Sequence, residues 1–135
     1  FSDQRVPVGQ QVFFAQSEVI LKLADQGPCV IVGRCSDYVL AGKPGCLKVF
    51  LHADLSSRVR RCLKEYHLPP EGVEQRIRQT DRDRSSYYSH YTGQTWGDMR
   101  NFDLTLNTAV TGEDGAVEVI AALVKARLSG QEGAE

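Results

Sequence analysis

"CVIVGRCSDYVL", residues 29–40, sets four small apolar residues directly against Gly33 and Arg34. The run from Cys29 to Val32 has the length and composition of a strand buried on both faces, as in a parallel sheet. In open parallel sheets, ligands bind just beyond the carboxyl ends of the strands. Gly33 lets the chain turn at that point or lets a ligand approach the backbone. Arg34 then stands at the rim, where its planar fork of donors suits phosphate. The competing reading pairs Arg34 with a surface carboxylate such as Asp37.

Upstream, Val12, Ala15, Val19 and Leu23 recur at helical spacing over residues 10–26, and Gly27-Pro28 stops the helix. Downstream, "AGKPG" at 41–45 is a turn, and Lys48 to Leu51 reads as a second strand. Asp54 is an N-cap for a helix to about Tyr66. Pro69-Pro70 separates it from a further helix, from near Glu71 to about Ser89, whose apolar stripe of Val73 and Ile77 is thin. Residues 91–101 read as a loop, and Leu104 to Asn107 as a third strand. Glu113 to Leu128 places Val117, Ile120, Ala121, Val124 and Leu128 on one helical face. Residues 129–135 form a polar tail expected to fray. Strands alternating with helices predict an α/β fold, a mostly parallel sheet flanked by helices, in a single domain over 1–128. Three strands are few for such a sheet. The chain starts at Phe1 and its one methionine is Met99, so the domain is expected to be incomplete at its N-terminus.

The 135 residues carry a formal net charge of −1, which argues against nucleic acid as a partner. No apolar run has the length of a membrane span, and "FSDQRVPVGQ" has no leader pattern. Cys29, Cys35, Cys46 and Cys62 show no CxxC spacing and no accompanying histidine pair, so no metal site is expected. They read as free thiols of a cytoplasmic protein. Nothing in the sequence specifies an oligomeric state.

Arginine dominates the basic residues, and most of it lies between Arg58 and Arg84. Arg58 and Arg61 are three apart, hence neighbours on one helix face. Arg76, Arg78, Arg82 and Arg84 follow the Pro-Pro break. Two arginine-rich helices over about 55–90 read as a lid that stabilises charge on a transferring phosphoryl group. The interleaved Glu71, Glu74, Asp81 and Asp83 equally allow a solvated, salt-bridged face. "TDRDRSSYYSHYTGQTW", residues 80–96, brings tyrosines, a tryptophan and His90 together. Such aromatics stack on a base or form a satellite core. Phosphoryl transfer relies on positioning and electrostatics, so it requires no histidine base.

Four segments together, "VIVGRCSDYVL", "LKVFLHADLSSRVRRCLKE", "TDRDRSSYYSHYTGQTWGD" and "NFDLTLNTAVTG", resemble the cytidylate-kinase-like family of P-loop nucleotide kinases over about residues 12–125. The resemblance implies a three-layer sandwich like that of P-loop nucleoside-monophosphate kinases. It implies ATP-dependent phosphoryl transfer, with Mg²⁺, to a nucleoside monophosphate (cytidylate-like) or related small acceptor. Arg34 matches the family's Gly-Arg element beside the acceptor nucleotide. Arg58 and Arg61 match lid arginines that approach the donor phosphates. Asp81 and Arg84 match a D-x-x-R element that holds the acceptor. Tyr87, Tyr88, Thr92, Gly93 and Trp96 match a signature of the subfamily. Two positions depart from the pattern. True cytidylate kinases follow Gly-Arg with Asp, where this chain has Cys35. No G-x-x-x-x-G-K-[ST] phosphate loop occurs in the 135 residues. The loop is expected upstream of Phe1 or on a partner chain; otherwise the protein is a non-catalytic nucleotide- or partner-binding module derived from a kinase.

Overall fold

A computed structural model describes residues 6–132. They divide into two compact units. One holds the described residues up to Cys46 together with Asp83–Asn101. The other holds Leu47–Arg82 and the described residues from Phe102 onward.

In the first unit, helix α1 spans Val8–Gln26. Phe13 and Ile20, seven residues apart and so on one face, are its buried side chains. The helix ends at Gly27, whose φ of 145° no other residue adopts without strain. Three consecutive left-handed residues follow further on: Gly33, Arg34 and Cys35, with φ of 69°, 57° and 57°. They lead into α2, the single turn Ser36–Val39. The Cys35 carbonyl accepts hydrogen bonds from the amides of Tyr38 and Val39 at 3.0 Å each. Phe13, Cys35 and Tyr88 form the buried centre, with Val39, Tyr87, Tyr91 and Trp96 packed around it.

In the second unit, β1 (Val49–His52) pairs in parallel with β2 (Leu104–Asn107), in a register running from Val49 opposite Leu104 to His52 opposite Asn107. A parallel pair needs a long crossover, and α3 (Leu55–Lys64) lies within it. The Asp54 carboxylate caps α3 by accepting from the Ser57 amide at 3.2 Å. Helix α4, Val73–Thr92, gives its residues through Arg82 to this unit and the remainder to the first. Its Val73 and Ile77 are the buried stripe that the sequence predicts. Helix α5, Thr108–Glu132, packs on both strands and is interrupted at Gly112, where φ is 68°.

The α/β class and the parallel pairing agree with the sequence. The strand expected at Cys29–Val32 does not form. Among the described residues the sheet has two strands, too few to make the expected three-layer sandwich. The reason is physical: a strand exists only through ladder bonds to a neighbour, and none lies beside this run. Val30 and Val32 are accordingly 92% and 86% exposed. The segment 91–101, expected as loop, contains the end of α4 and a short 3-10 helix at Met99–Asn101. The tail expected to fray from 129 is helical through Glu132, and residues 133–135 lie outside the described residues. No helix of the described residues is long and apolar enough to cross a membrane.

Candidate functional site

The first unit carries Arg34 and Arg84. Both are exposed, and neither has an ion pair or side-chain hydrogen bond to another described residue. The expected alternative partner of Arg34, Asp37, is taken by another group: Tyr88 donates its hydroxyl proton to Asp37 Oδ2 at 2.7 Å. The side-chain amide of Gln94 lies 2.8 Å from the same hydroxyl. A phenol has one proton to give, and the carboxylate is the stronger acceptor. The Gln94 amide therefore meets the hydroxyl with its NH₂ end. The Thr92 hydroxyl donates to the Tyr88 carbonyl at 2.6 Å and accepts from the backbone N–H of Gln94 at 3.0 Å, fixing the turn that brings Gln94 back.

Burial first, then the hydrogen bond to Asp37 and its charge, hold the Tyr88 phenol well above its ordinary value. It stays a donor at every physiological pH. Burial also pushes the Cys35 thiol up, with Asp37 adding to the shift and Arg34 opposing it. Helical register sets Arg84 one turn before Tyr88, on the same side of α4. One hydroxyl thus ties the turn that carries Arg34 to the helix that carries Arg84.

Tyr87, Tyr91 and Trp96 surround this contact. Phe13 stacks on Tyr91 at 4.6 Å between ring centres, and Tyr87 meets Tyr91 at 4.7 Å. Tyr87 also reaches Gln16, its hydroxyl 3.4 Å from Oε1. The aromatic signature therefore builds a packed cluster, one of the two readings open from the sequence. His90 lies against the edge of Tyr91.

The second unit carries Arg58, Arg61 and Asp81. Arg58 and Asp81 engage each other through two parallel hydrogen bonds, one of them 2.7 Å from Nη2 to Oδ1. That contact raises the Arg58 guanidinium further above its ordinary value. Arg61 pairs with Glu113 at the start of α5 and with Glu65 at 3.3 Å, and its guanidinium sits 5.9 Å from the centre of the Tyr66 ring. The salt-bridged reading of these helices thus describes Arg58 and Arg61. Arg78 likewise pairs with Glu74 one turn away. Sequence reasoning did not find the partners Asp37 for Tyr88 and Glu113 for Arg61. They lie 51 and 52 residues away, and no local pattern marks such a separation.

All four cysteines are free thiols. Among the described residues, no group of three or more His, Cys, Asp or Glu is gathered to hold a metal ion.

One unit thus carries the parallel strand pair, and the other carries two exposed guanidinium groups, one on a turn and one on a helix. The chain belongs to the cytidylate kinase-like family, whose sequence model matches residues 2–110. It is 26% identical over 109 residues to a cytidylate kinase of Methanopyrus kandleri, an alignment covering 75% of this chain and 56% of that protein. The chain thus spans little more than half the length of that curated relative. Its fold is similar to the crystal structure of an uncharacterized protein from Eubacterium ventriosum, with a TM-score of 0.80. That match has 23% sequence identity and covers 87% of this chain and 74% of the other.

Proposed function

We propose that the chain is the acceptor and lid portion of a nucleotide kinase, which transfers the γ-phosphoryl group of ATP to a nucleoside monophosphate of cytidylate type. The kinase-like family implies use of ATP with Mg²⁺ in general. Mg²⁺ would arrive on the phosphates of ATP, as it commonly does. Arg34 and Arg84 bind the acceptor phosphate, and Asp81 contributes to the acceptor side. Arg58 and Arg61 exchange their present carboxylate partners for donor phosphates, neutralising charge as the phosphoryl group moves. Tyr87 and Tyr88 support the acceptor side. The protein works in the cytoplasm.

The observation that carries this reading is the Tyr88–Asp37 contact. It joins the Arg34 turn to the Arg84 helix while leaving both guanidinium groups exposed. The exposed Cys29–Val32 run supports a further element of the proposal. In this proposal the run becomes a strand of a P-loop-type sheet only where a neighbouring strand and the phosphate loop are supplied from outside these 135 residues.

A specific observation favours a second reading. The 135 residues contain no phosphate-loop motif, so the chain as it stands binds a nucleotide without transferring phosphate. Calorimetric titration with CMP, AMP and ATP, beside a radiolabelled phosphate-transfer assay, separates the two. Kinase function predicts CMP binding that Arg84→Ala abolishes. In the protein that carries the phosphate loop, the same change lowers turnover by on the order of a hundredfold. CMP binding without transfer in that longer protein selects the binding module. An Arg84→Ala variant with unchanged affinity and turnover removes Arg84 from the site.

A further inference from the structure

Two adjacent non-glycine residues, Arg34 and Cys35, both have φ of 57°. This region is unfavourable for side chains with a Cβ, and single visits, not consecutive ones, are the usual pattern. Such conformations persist only where the surroundings over-determine them. The surroundings here are the buried cluster of Phe13, Cys35 and Tyr88, and of these Tyr88 also bonds to the turn's own helix. The Tyr88 ring packs on the buried Cys35, immediately after Arg34, and its hydroxyl holds Asp37 at 2.7 Å. Tyr88 thus grips the chain at positions 35 and 37, on both sides of Ser36. The Ser36 amide closes the turn on the Gly33 carbonyl at 3.1 Å. Gln94 and Thr92 in turn fix the Tyr88 hydroxyl and backbone. Arg34 itself, exposed and without a partner of its own among the described residues, has no other fixture.

We propose that Tyr88 is a positioning residue for Arg34: through Asp37 and Cys35 it holds the left-handed Gly33–Arg34–Cys35 turn in the one conformation that presents the guanidinium to an anionic ligand. Tyr88 does not touch the ligand; it acts through the turn. The inference rests on the reading of Arg34 as an acceptor-binding cation, and it specifies what makes that cation available. Asp37 is committed to the same task and is not a ligand of the acceptor.

The test uses this chain and two readouts. The first needs no ligand: amide hydrogen exchange at Ser36, Tyr38 and Val39, whose N–H groups close the turn on Gly33 and Cys35. Tyr88→Phe keeps the ring and removes only the hydroxyl. It is expected to speed exchange at these three amides about tenfold, the loss of one hydrogen bond to a charged group, with α1 unaffected. Asp37→Ala should reproduce the effect, and the double variant should add nothing. Asp37→Asn, which keeps an acceptor oxygen, should restore most of the protection. Unchanged exchange in Tyr88→Phe, or a loss spread evenly over α1 and α4, overturns the proposal. The second readout is the dissociation constant for CMP. Tyr88→Phe should weaken it about tenfold in the wild-type background and less than about twofold in an Arg34→Ala background, since the effect passes through Arg34. Equal weakening in both backgrounds overturns the proposal. If Arg34→Ala leaves CMP affinity untouched, the acceptor role of Arg34 falls, and the exchange data alone then decide the clamp.

Discussion

The Arg58 guanidinium lies against the Asp81 carboxylate in a two-bond contact that ties α3 to α4 across the Pro69-Pro70 break. Each side chain retains about three-tenths of its exposure, 30% for Arg58 and 28% for Asp81. Solvent therefore screens the pair in part, and its value lies between that of a surface bridge and that of a buried one. Arg58→Ala and Asp81→Ala are each expected to cost about 1–2 kcal/mol, with a coupling of about 1 kcal/mol in the double-mutant cycle. Urea unfolding of the four proteins measures it. Zero coupling would show that the two groups do not meet in solution.

The Asp54 carboxylate is held at about 2 by hydrogen bonds from Ser56 and Ser57. Its folded value lies below the ordinary value of 3.8. The stabilisation is therefore complete above the ordinary value and is lost as pH falls towards about 2. Circular dichroism during an acid titration should show helix content declining through that window. In Asp54→Ala the part contributed by α3 should already be missing at pH 7. Identical acid profiles for the two proteins would remove the cap from the account.

Gly9 in α1 has no room for a larger residue: a Cβ there would sit 2.8 Å from the Tyr91 hydroxyl oxygen. The Tyr91 ring cannot swing away freely, being stacked on Phe13 and flanked by Tyr87. Gly9→Ala should therefore destabilise the first unit, although alanine improves helix propensity, by less than about 1 kcal/mol in this first turn of α1. In a Tyr91→Phe background the obstacle is gone and the same substitution should stabilise by up to that amount. The sign reversal, read from melting temperatures, is the test. Stabilisation by Gly9→Ala in both backgrounds would place Tyr91 elsewhere.

Val30 and Val32 contribute little to the stability of this chain, because both are almost fully exposed. Replacing both by threonine should change the unfolding free energy by less than about 0.5 kcal/mol per site. A strand buried on both faces would lose more at each, because burying one valine is worth about 1.5–3 kcal/mol. A loss of that size would restore the strand expected from composition.

What was legible in the sequence was local. Asp54 reads as a cap because the groups it satisfies lie within one turn of it. Gly27 reads as a helix end because only its own dihedral angles are at issue. Val73 and Ile77 read as a buried pair because helical spacing is set within the helix. The parallel pairing of β1 and β2 follows from strands alternating with helices, since a short hairpin cannot join parallel strands. The candidate site was legible as a set of residue types: arginines on two helices, an arginine after a glycine turn, and an aromatic-rich segment at 80–96.

The sequence by itself determined the family, the α/β alternation, the boundaries of the four long helices to within about five residues, and which cations are candidates for an anionic ligand. The three-dimensional structure alone decided which partner each group takes. Asp37 goes to Tyr88 and not to Arg34; Arg58 goes to Asp81; Arg61 goes to Glu113; and the apolar run at Cys29–Val32 has no strand beside it. The division has one cause. Caps and helical faces are set by residues within a few positions of one another, whereas a hydrogen bond, an ion pair or a strand ladder needs a partner that only the folded chain brings near.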